Sequence, residues 1–336
     1  MAIGVDCGTY NLVCCQRNAE GDFVNKHEVN AFIEIPLEND FVFNMMKKTG
    51  VPLIERRDAG VAYALGEAAV DMAYAMNKAE LKRPMKDGCL NPREKHAQQI
   101  LSTMIHGLLD EINSPNEVLY YSVPANAINE ETDADYHSKV LESIFNAFED
   151  DQGRKVVAKP INEALALVYA EAQEQAYTAL GCSFGSGMIN VCLSIFGAPV
   201  FEFSIVHSGD WIDKMSAKAT GETATFINKE KQKLDLTIEP DTLVLRAIKA
   251  QYEIMIQKTV TEIKKGLEKV GNKARTEKPV NIIVAGGTSK PNGFEKVLER
   301  TLKEANLSIE IGKVIKPADP LFSVARGCLL AAEAAT

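Results

Sequence analysis

Asp6-Cys7-Gly8-Thr9-Tyr10-Asn11 places a carboxylate at the end of an apolar run and follows it at once with a Gly-Thr turn. A tight turn frees backbone N–H groups that can cradle phosphate oxygens, and the neighbouring carboxylate can hold magnesium through water, because that ion keeps several waters when bound. An ordinary hairpin turn has the same composition, since glycines commonly join paired strands. A second glycine turn, Val284-Ala285-Gly286-Gly287-Thr288-Ser289, follows an apolar run and precedes a helical pattern. Glycines there let backbone approach a flat base or a ribose, and a helix N-terminus favours an anionic group. Plain strand-to-helix packing would use the same residues.

The elements that must position these turns are legible as hydrophobic patterns. Ile3 to Asp6 and Leu12 to Cys15 flank the first turn and read as a β-hairpin. The layout recurs around Gly185-Ser186-Gly187, between Leu180-Gly181-Cys182-Ser183 and the run Ile189 to Ile195. Aligning Gly4 to Thr9 on Gly181 to Ser186 implies an internal duplication and two similar domains facing one another. Helical spacing is seen from Pro92 to Asn113, Ala134 to Phe148 and Asn162 to Gln175, with a buried strand at Val118 to Val123. A mostly helical stretch, Trp211 to Val270, leads to the strand Val280 to Val284 and a helix from about Phe294. The last helix is expected to start at Asp319-Pro320, an N-cap followed by proline. Strands alternating with helices predict an α/β fold of layered sheets and helices. Residues 30 to 80 are the least regular and read as an inserted subdomain.

Bulk properties narrow the function classes. The chain has 336 residues, 46% apolar and 25% charged, enough for two ordinary domains. Its net charge of −9 would repel phosphate backbones, so direct nucleic-acid binding is not expected. Seven scattered cysteines with no CxxC pair fit buried free thiols in a reducing cytoplasm better than a metal site. No export signal opens the sequence, and no apolar run is long enough to span a bilayer, so membrane contact is at most peripheral. Phe41 to Met46 with Lys47-Lys48 reads as a subunit contact or subdomain core in preference to an interfacial loop.

Taken in order, the motifs resemble the actin, heat-shock chaperone and sugar kinase ATPase superfamily, most closely the bacterial actin MreB and related prokaryotic actin-like proteins. Asp6 to Asn11 looks like its first phosphate motif, and Arg83-Pro84-Met85-Lys86-Asp87-Gly88 is similar to a segment of the MreB group. Ile161 to Ala166 matches the first connecting helix, and Gly209-Asp210-Trp211-Ile212-Asp213 the turn after the second hairpin. Ala285 to Ser289 looks like the adenosine motif, and Asp319-Pro320 with Ala325-Arg326-Gly327 the second connecting helix.

The resemblance implies an actin-like fold of two similar domains, each a β-sheet flanked by helices with a smaller subdomain, and a nucleotide cleft between them. Domain I would span 1–160, with its insertion at about 30–80. Domain II would span 161–336, with a helical subdomain at about 211–270 and a last helix at about 319–334 packing back on domain I. ATP or ADP with Mg2+ would be held by Gly8, Thr9, Tyr10, Asn11, Gly185, Ser186, Gly187 and Gly209. Lys229 and Glu230 would contact ribose and adenine, as would Gly286, Gly287 and Thr288, and Asp6 would hold Mg2+ through water. Glu131, with Glu130 as competitor, would orient the attacking water; a negatively charged helix start is the alternative reading of that pair. Ser183 stands where relatives carry Asp, which leaves a hydroxyl but no charge, so binding should survive better than hydrolysis. Restoring Asp at that position is expected to speed phosphate release.

The implied function is a cytoplasmic filament governed by nucleotide state, serving cell shape, DNA segregation or organelle positioning, with slow ATP hydrolysis. Its partners would be further copies of itself and an adaptor protein. The alternatives are a non-polymerising ATP-binding regulator, a chaperone-like ATPase and a small-molecule kinase of the same superfamily.

Overall fold

The computed structural model describes residues 2–37, 40–48, 50–75, 81–109, 112, 115–128 and 132–336. Strands β1 (Ala2–Cys7) and β2 (Asn11–Arg17) form an antiparallel hairpin, and β3 (Phe23–Val29) extends it. The next stretch carries β4 (Phe32–Pro36), α1 (Asp40–Lys48), β5 (Leu53–Arg56), β6 (Val61–Leu65) and α2 (Gly66–Ala75), its strands forming a small separate sheet. On α1 the Phe43 side chain is buried and Met46 packs into the cluster around Ile33 and Ile35, as a subdomain core requires. A short hairpin, β7 (Met85–Lys86) and β8 (Cys89–Leu90), precedes α3 (Ala97–Leu108), β9 (Glu117–Val123), α4 (Ala134–Asn146) and β10 (Val156–Asn162).

The second half repeats the plan. Helix α5 (Glu163–Glu171) leads into β11 (Ala179–Phe184), β12 (Ile189–Ile195) and β13 (Ala198–Ile205). Then come α6 (Gly209–Thr220), α7 (Ala224–Lys231), α8 (Leu243–Val270), β14 (Val280–Ala285), α9 (Phe294–Glu304), β15 (Ile311–Ile315) and α10 (Ser323–Ala334). The two large sheets run β10-β9-β1-β2-β3 and β13-β12-β11-β14-β15. In each, the first two strands pair antiparallel and the first strand takes a parallel neighbour on its other side. Both first strands are buried almost throughout, as sheets covered on two faces demand.

The registers make the repeat residue-specific. Gly4 lies opposite Cys15 and Tyr120, and Gly181 opposite Cys192 and Ile283. A Cβ on Gly4 would fall 2.1 Å from the Ala325 carbonyl of α10, and one on Gly181 would fall 2.4 Å from the Ala164 carbonyl of α5. Both glycines are therefore needed for a helix to press onto the first strand of its sheet. The two helices also touch each other, since a Cβ on Gly327 of α10 would fall 1.7 Å from the Ala166 carbonyl of α5.

Two boundaries differ from the sequence reading. Helix α10 begins at Ser323, not Asp319, because Phe322 N and Ser323 Oγ both turn back to the Asp319 carbonyl and close a separate turn first. Helix α3 starts at Ala97; residues 92–96 before it form turns. All seven cysteines are free and buried. Among the described residues, no helix is long and apolar enough to cross a membrane, and no cluster of three or more His, Cys, Asp or Glu could hold a metal.

Candidate functional site

The first turn, Gly8-Thr9-Tyr10, is tied down by Asn30, which lies between β3 and β4. Asn30 Nδ2 donates to the Gly8 carbonyl at 3.0 Å and Asn30 N to the Tyr10 carbonyl at 2.8 Å. The matching turn between β11 and β12, Gly185-Ser186-Gly187, is held through the Gly185 carbonyl, which accepts from Ser208 Oγ, Thr288 Oγ1 and Gly209 N. Side chains are excluded at both turn glycines: a Cβ on Gly8 would lie 2.7 Å from the Asn11 carbonyl, and one on Gly185 would lie 2.8 Å from that of Met188. The turns meet at Thr9 and Gly187, where a Cβ on Gly187 would fall 2.5 Å from Thr9 Oγ1.

Between them opens a cavity of about 700 Å³, a size suited to a small organic ligand. Its floor is Asp6, Glu163, Ser183 and Asn190, and the two turns with Gly88 form one wall. The far end lies between Asn228, Lys231 and Lys233 on one side and Gly286, Gly287 and Asn292 on the other. Asn292 Nδ2 donates to Asp235 Oδ2 at 2.8 Å, which fastens the two sides together. Gly286 has φ +89, and a Cβ there would strike the Phe184 carbonyl at 2.3 Å, so the turn packs directly on the end of β11.

Charge on the floor is unusual. Asn162 caps α5 by accepting from Ala164 N and Leu165 N, which sets Glu163 as the first helical residue, facing the floor. Glu163 Oε1 accepts from Ser183 Oγ at 2.6 Å and its Oε2 from Asn190 Nδ2 at 2.7 Å. Asp6 accepts from Ser122 Oγ at 2.7 Å. Burial, and then the charge of Asp6, raise the Glu163 pKa; burial also raises that of Asp6, with the Ser122 hydrogen bond opposing it. Two buried carboxylates that repel one another form a site that a cation would relieve. Magnesium, usually bound by one or two protein carboxylates together with phosphate oxygens and water, fits this donor set.

Of the residues expected from sequence, Asp6, Gly8, Thr9, Tyr10, Asn11, Ser183, Gly185, Ser186, Gly187, Gly286, Gly287 and Thr288 all line the cavity. Gly209, Lys229 and Glu230 are not among its lining residues. Gly209 supports the second turn from behind. On α7 the cavity is met by Asn228 and Lys231, while Glu230 accepts from Lys233. The proposed water-orienting Glu131, and Glu130 beside it, lie outside the described residues. Glu163, Asn190, Asn228 and Lys231 also line the cavity without being singled out by the sequence, in which Glu163 is only part of a connecting helix.

One side chain links the two halves at the turns. Arg83 donates to both carboxylate oxygens of Asp210 at 3.0 Å, approaches Ser186 Oγ at 3.3 Å and lies over the Tyr10 ring at 4.8 Å. The Arg83 charge is the main influence opposing burial at Asp210, and the net effect lowers the Asp210 pKa. The sequence resemblance singled out the Arg83-to-Gly88 segment without giving it this contact.

Two facing α/β halves of like topology, with a ligand-sized cleft between matched glycine turns, define the actin-like superfamily fold. Solved structures of similar shape agree. The MamK double helical filament has TM-score 0.73 at 16% identity, covering 98% of each chain. MreB 5 of Spiroplasma citri bound to AMPPNP has TM-score 0.66 at 13% identity, covering 97% of this chain and 93% of that one. The ethanolamine utilization protein EutJ from Carboxydothermus hydrogenoformans has TM-score 0.55 at 14% identity, with 98% and 89% covered. No curated protein matches the sequence. Residues 1–332 match the Volactin family, and the chain belongs to it.

Proposed function

We propose that this protein binds ATP with Mg2+ in the cleft, hydrolyses it slowly and polymerises into filaments whose assembly follows nucleotide state. The observation that carries the reading is the convergence of both glycine turns on the buried Asp6–Glu163 pair. The amides of Thr9, Tyr10, Ser186 and Gly187 would receive the phosphates. Asp6 would hold Mg2+ through water, and the ion would neutralise charge on the leaving oxygens. Glu163, whose two oxygens accept from Ser183 and Asn190, would orient and deprotonate a water at the terminal phosphate. Glu131, to which the resemblance gives this role, lies outside the described residues and is the competing candidate for it. Gly286, Gly287 and Asn292 face Asn228 and Lys231 across the space for the nucleoside.

Filament formation is supported by likeness of fold to the MamK filament, and nucleotide binding by likeness to the AMPPNP-bound MreB 5. Subunits of one kind in a head-to-tail chain need no other partner, and an adaptor would attach from outside. Reduced, buried thiols suit a cytoplasmic setting. Calorimetry of ATP with and without Mg2+, followed by ATP-dependent pelleting and electron microscopy, tests the reading. Binding that ignores Mg2+ would remove the metal role, and ATP-saturated protein that never pellets would leave a nucleotide-binding regulator.

A further inference from the structure

Among the described residues, four serine and threonine hydroxyls line the cleft, on Thr9, Ser183, Ser186 and Thr288, and they differ in what their hydrogen bonds do. Thr288 Oγ1 donates to the Gly185 carbonyl, and Thr9 Oγ1 accepts from Gly88 N. Ser186 Oγ donates to Asp210, a carboxylate already committed to Arg83. Ser183 is the exception. Its Oγ donates at 2.6 Å to Glu163 Oε1, and among the described residues no Lys or Arg pairs with Glu163.

A hydroxyl bonded to an unneutralised carboxylate is the arrangement of an activated nucleophile, in which the carboxylate takes the proton as the oxygen attacks. A group that orients the base completes it. Asn190 Nδ2 donates to Glu163 Oε2 at 2.7 Å, and Asn190 Oδ1 accepts in turn from Ser204 Oγ, so the amide is fixed from behind. Backbone holds the reacting side chains still. Ser183 lies in β11 between Asn190 of β12 and Ala285 of β14, and Glu163 opens a helix capped by Asn162. Such preorganisation is where an intramolecular nucleophile gains over solvent. Ser183 is 2% exposed to bulk water, yet it lies on the floor toward which the two turns would deliver the terminal phosphate.

We propose that Ser183 is itself a phosphoryl acceptor, taking the terminal phosphoryl group of ATP bound in the cleft. Ser183 Oγ forms a bond to the terminal phosphorus, the bond from that phosphorus to the bridging oxygen breaks, and the electron pair leaves with ADP. The Ser183 proton passes to Glu163 Oε1. Water competes for the same base, but Ser183 already occupies the Oε1 hydrogen bond and is fixed in place. The resemblance gives relatives Asp at this position, which has no hydroxyl, so the acceptor belongs to this chain's own residue. The product is a phosphoserine on the same floor as Asp6 and Glu163. It adds about −1.5 to −2 charge where an incoming terminal phosphate would sit, so the modified protein keeps room for ADP and repels ATP. The inference rests on the ATP-binding reading above and deepens it.

Protein stripped of nucleotide is incubated with Mg2+ and ATP labelled in its terminal phosphate, then denatured, and its intact mass and phosphopeptides are read. One phosphoryl group per chain on Ser183 is expected, formed at a rate constant independent of protein concentration. Ser183→Thr should keep the label as phosphothreonine, Ser183→Ala should lose it, and Glu163→Gln should slow its formation by about 10²-fold. The isolated phosphoprotein, freed of nucleotide, should bind ATP about tenfold more weakly than the unmodified chain, with a smaller change for ADP. An unlabelled parent that binds ATP by calorimetry, label on another residue, or label that survives in folded Ser183→Ala overturns the inference while the ATP-binding reading stands. A parent that binds no ATP removes that reading and this one with it.

Discussion

The β1–β2 and β11–β12 hairpins share a register, a turn glycine and a helix pressed onto a strand glycine, yet they differ at the residue that faces the cleft floor. Asp6 in the first hairpin is a carboxylate; its counterpart in the second, Ser183, is a hydroxyl that donates to Glu163. The charge missing from the second hairpin is therefore supplied by the helix that presses on it. Duplicated halves have kept their backbone geometry while dividing the polar work unequally, so a site in such a fold cannot be read from either copy of the repeat alone.

The largest effect that would break this comparison concerns Glu163. Glu163→Gln keeps the shape and an acceptor for Ser183 but removes the base, so phosphate release should fall about 10²-fold or more while ATP affinity changes little. Single-turnover phosphate release beside calorimetric binding checks it, and an equal loss in both would assign Glu163 to binding. Asp6→Ala should act on the other side of the division, weakening Mg2+-dependent ATP binding by about tenfold, an amount near 1.4 kcal/mol. Binding of ATP by Asp6→Ala that is as tight as the parent's, measured with saturating Mg2+, would separate Asp6 from the metal.

A third outcome changes with the structure. From sequence alone, Ser183→Asp should speed phosphate release; with Glu163 Oε1 already 2.6 Å from Ser183 Oγ, a new carboxylate there adds repulsion to a crowded floor. The expected result is no gain in steady-state release and a lower melting temperature without nucleotide. A faster enzyme would return the missing-charge explanation to favour.

The same crowding sets a pH dependence. Burial and Asp6 raise the Glu163 pKa from 4.5 to about 8, so the folded state binds more protons than the unfolded state between those values. Stability present below about pH 4.5 is accordingly lost as pH rises through about 8. Buried His137 works the other way, its pKa lowered from 6.5 to about 4, so its contribution is complete above pH 6.5. The nucleotide-free protein should melt a few degrees lower at pH 8 than at pH 6.5, roughly the scale of a 1–2 kcal/mol change. Glu163→Gln should flatten the slope, and a variant as steep as the parent would place the titrating group elsewhere.

The smallest effect sharpens the likeness of the two turns. Gly8→Ala and Gly185→Ala each force a Cβ within 3 Å of a carbonyl at the same turn position, so both should destabilise by similar amounts, about 1–3 kcal/mol. Denaturant midpoints that differ widely would mean that the turns are not equivalent.

Much of this was legible beforehand. Strand periodicity and the short Gly4–Thr9 match to Gly181–Ser186 point to the two-sheet plan only together with the ordered motifs of the resemblance, and the glycines mark places where backbone must meet backbone. Glu163 was not, since its partners Ser183 and Asn190 become neighbours only when α5 lies on β11. Lys231 was missed for a smaller reason. Lys229 and Lys231 are two positions apart on α7, about 200° around the helix, and only the packed structure says which faces the cleft. Asp319-Pro320 carried a genuine start signal, but a separate turn intervenes before α10.

The contact of Gly327 with Ala166 has a mechanical consequence. Helices normally mesh through side-chain ridges, and the mesh resists rotation of one against the other. Where α5 meets α10, backbone lies on backbone, so the crossing resembles a bearing, stiff against separation but offering few teeth to oppose twisting. Each helix is also seated on a strand glycine of a different sheet. A small turn at that bearing is therefore magnified with distance from it, into a larger displacement at the outer ends of the two halves than at the buried carboxylates beside it.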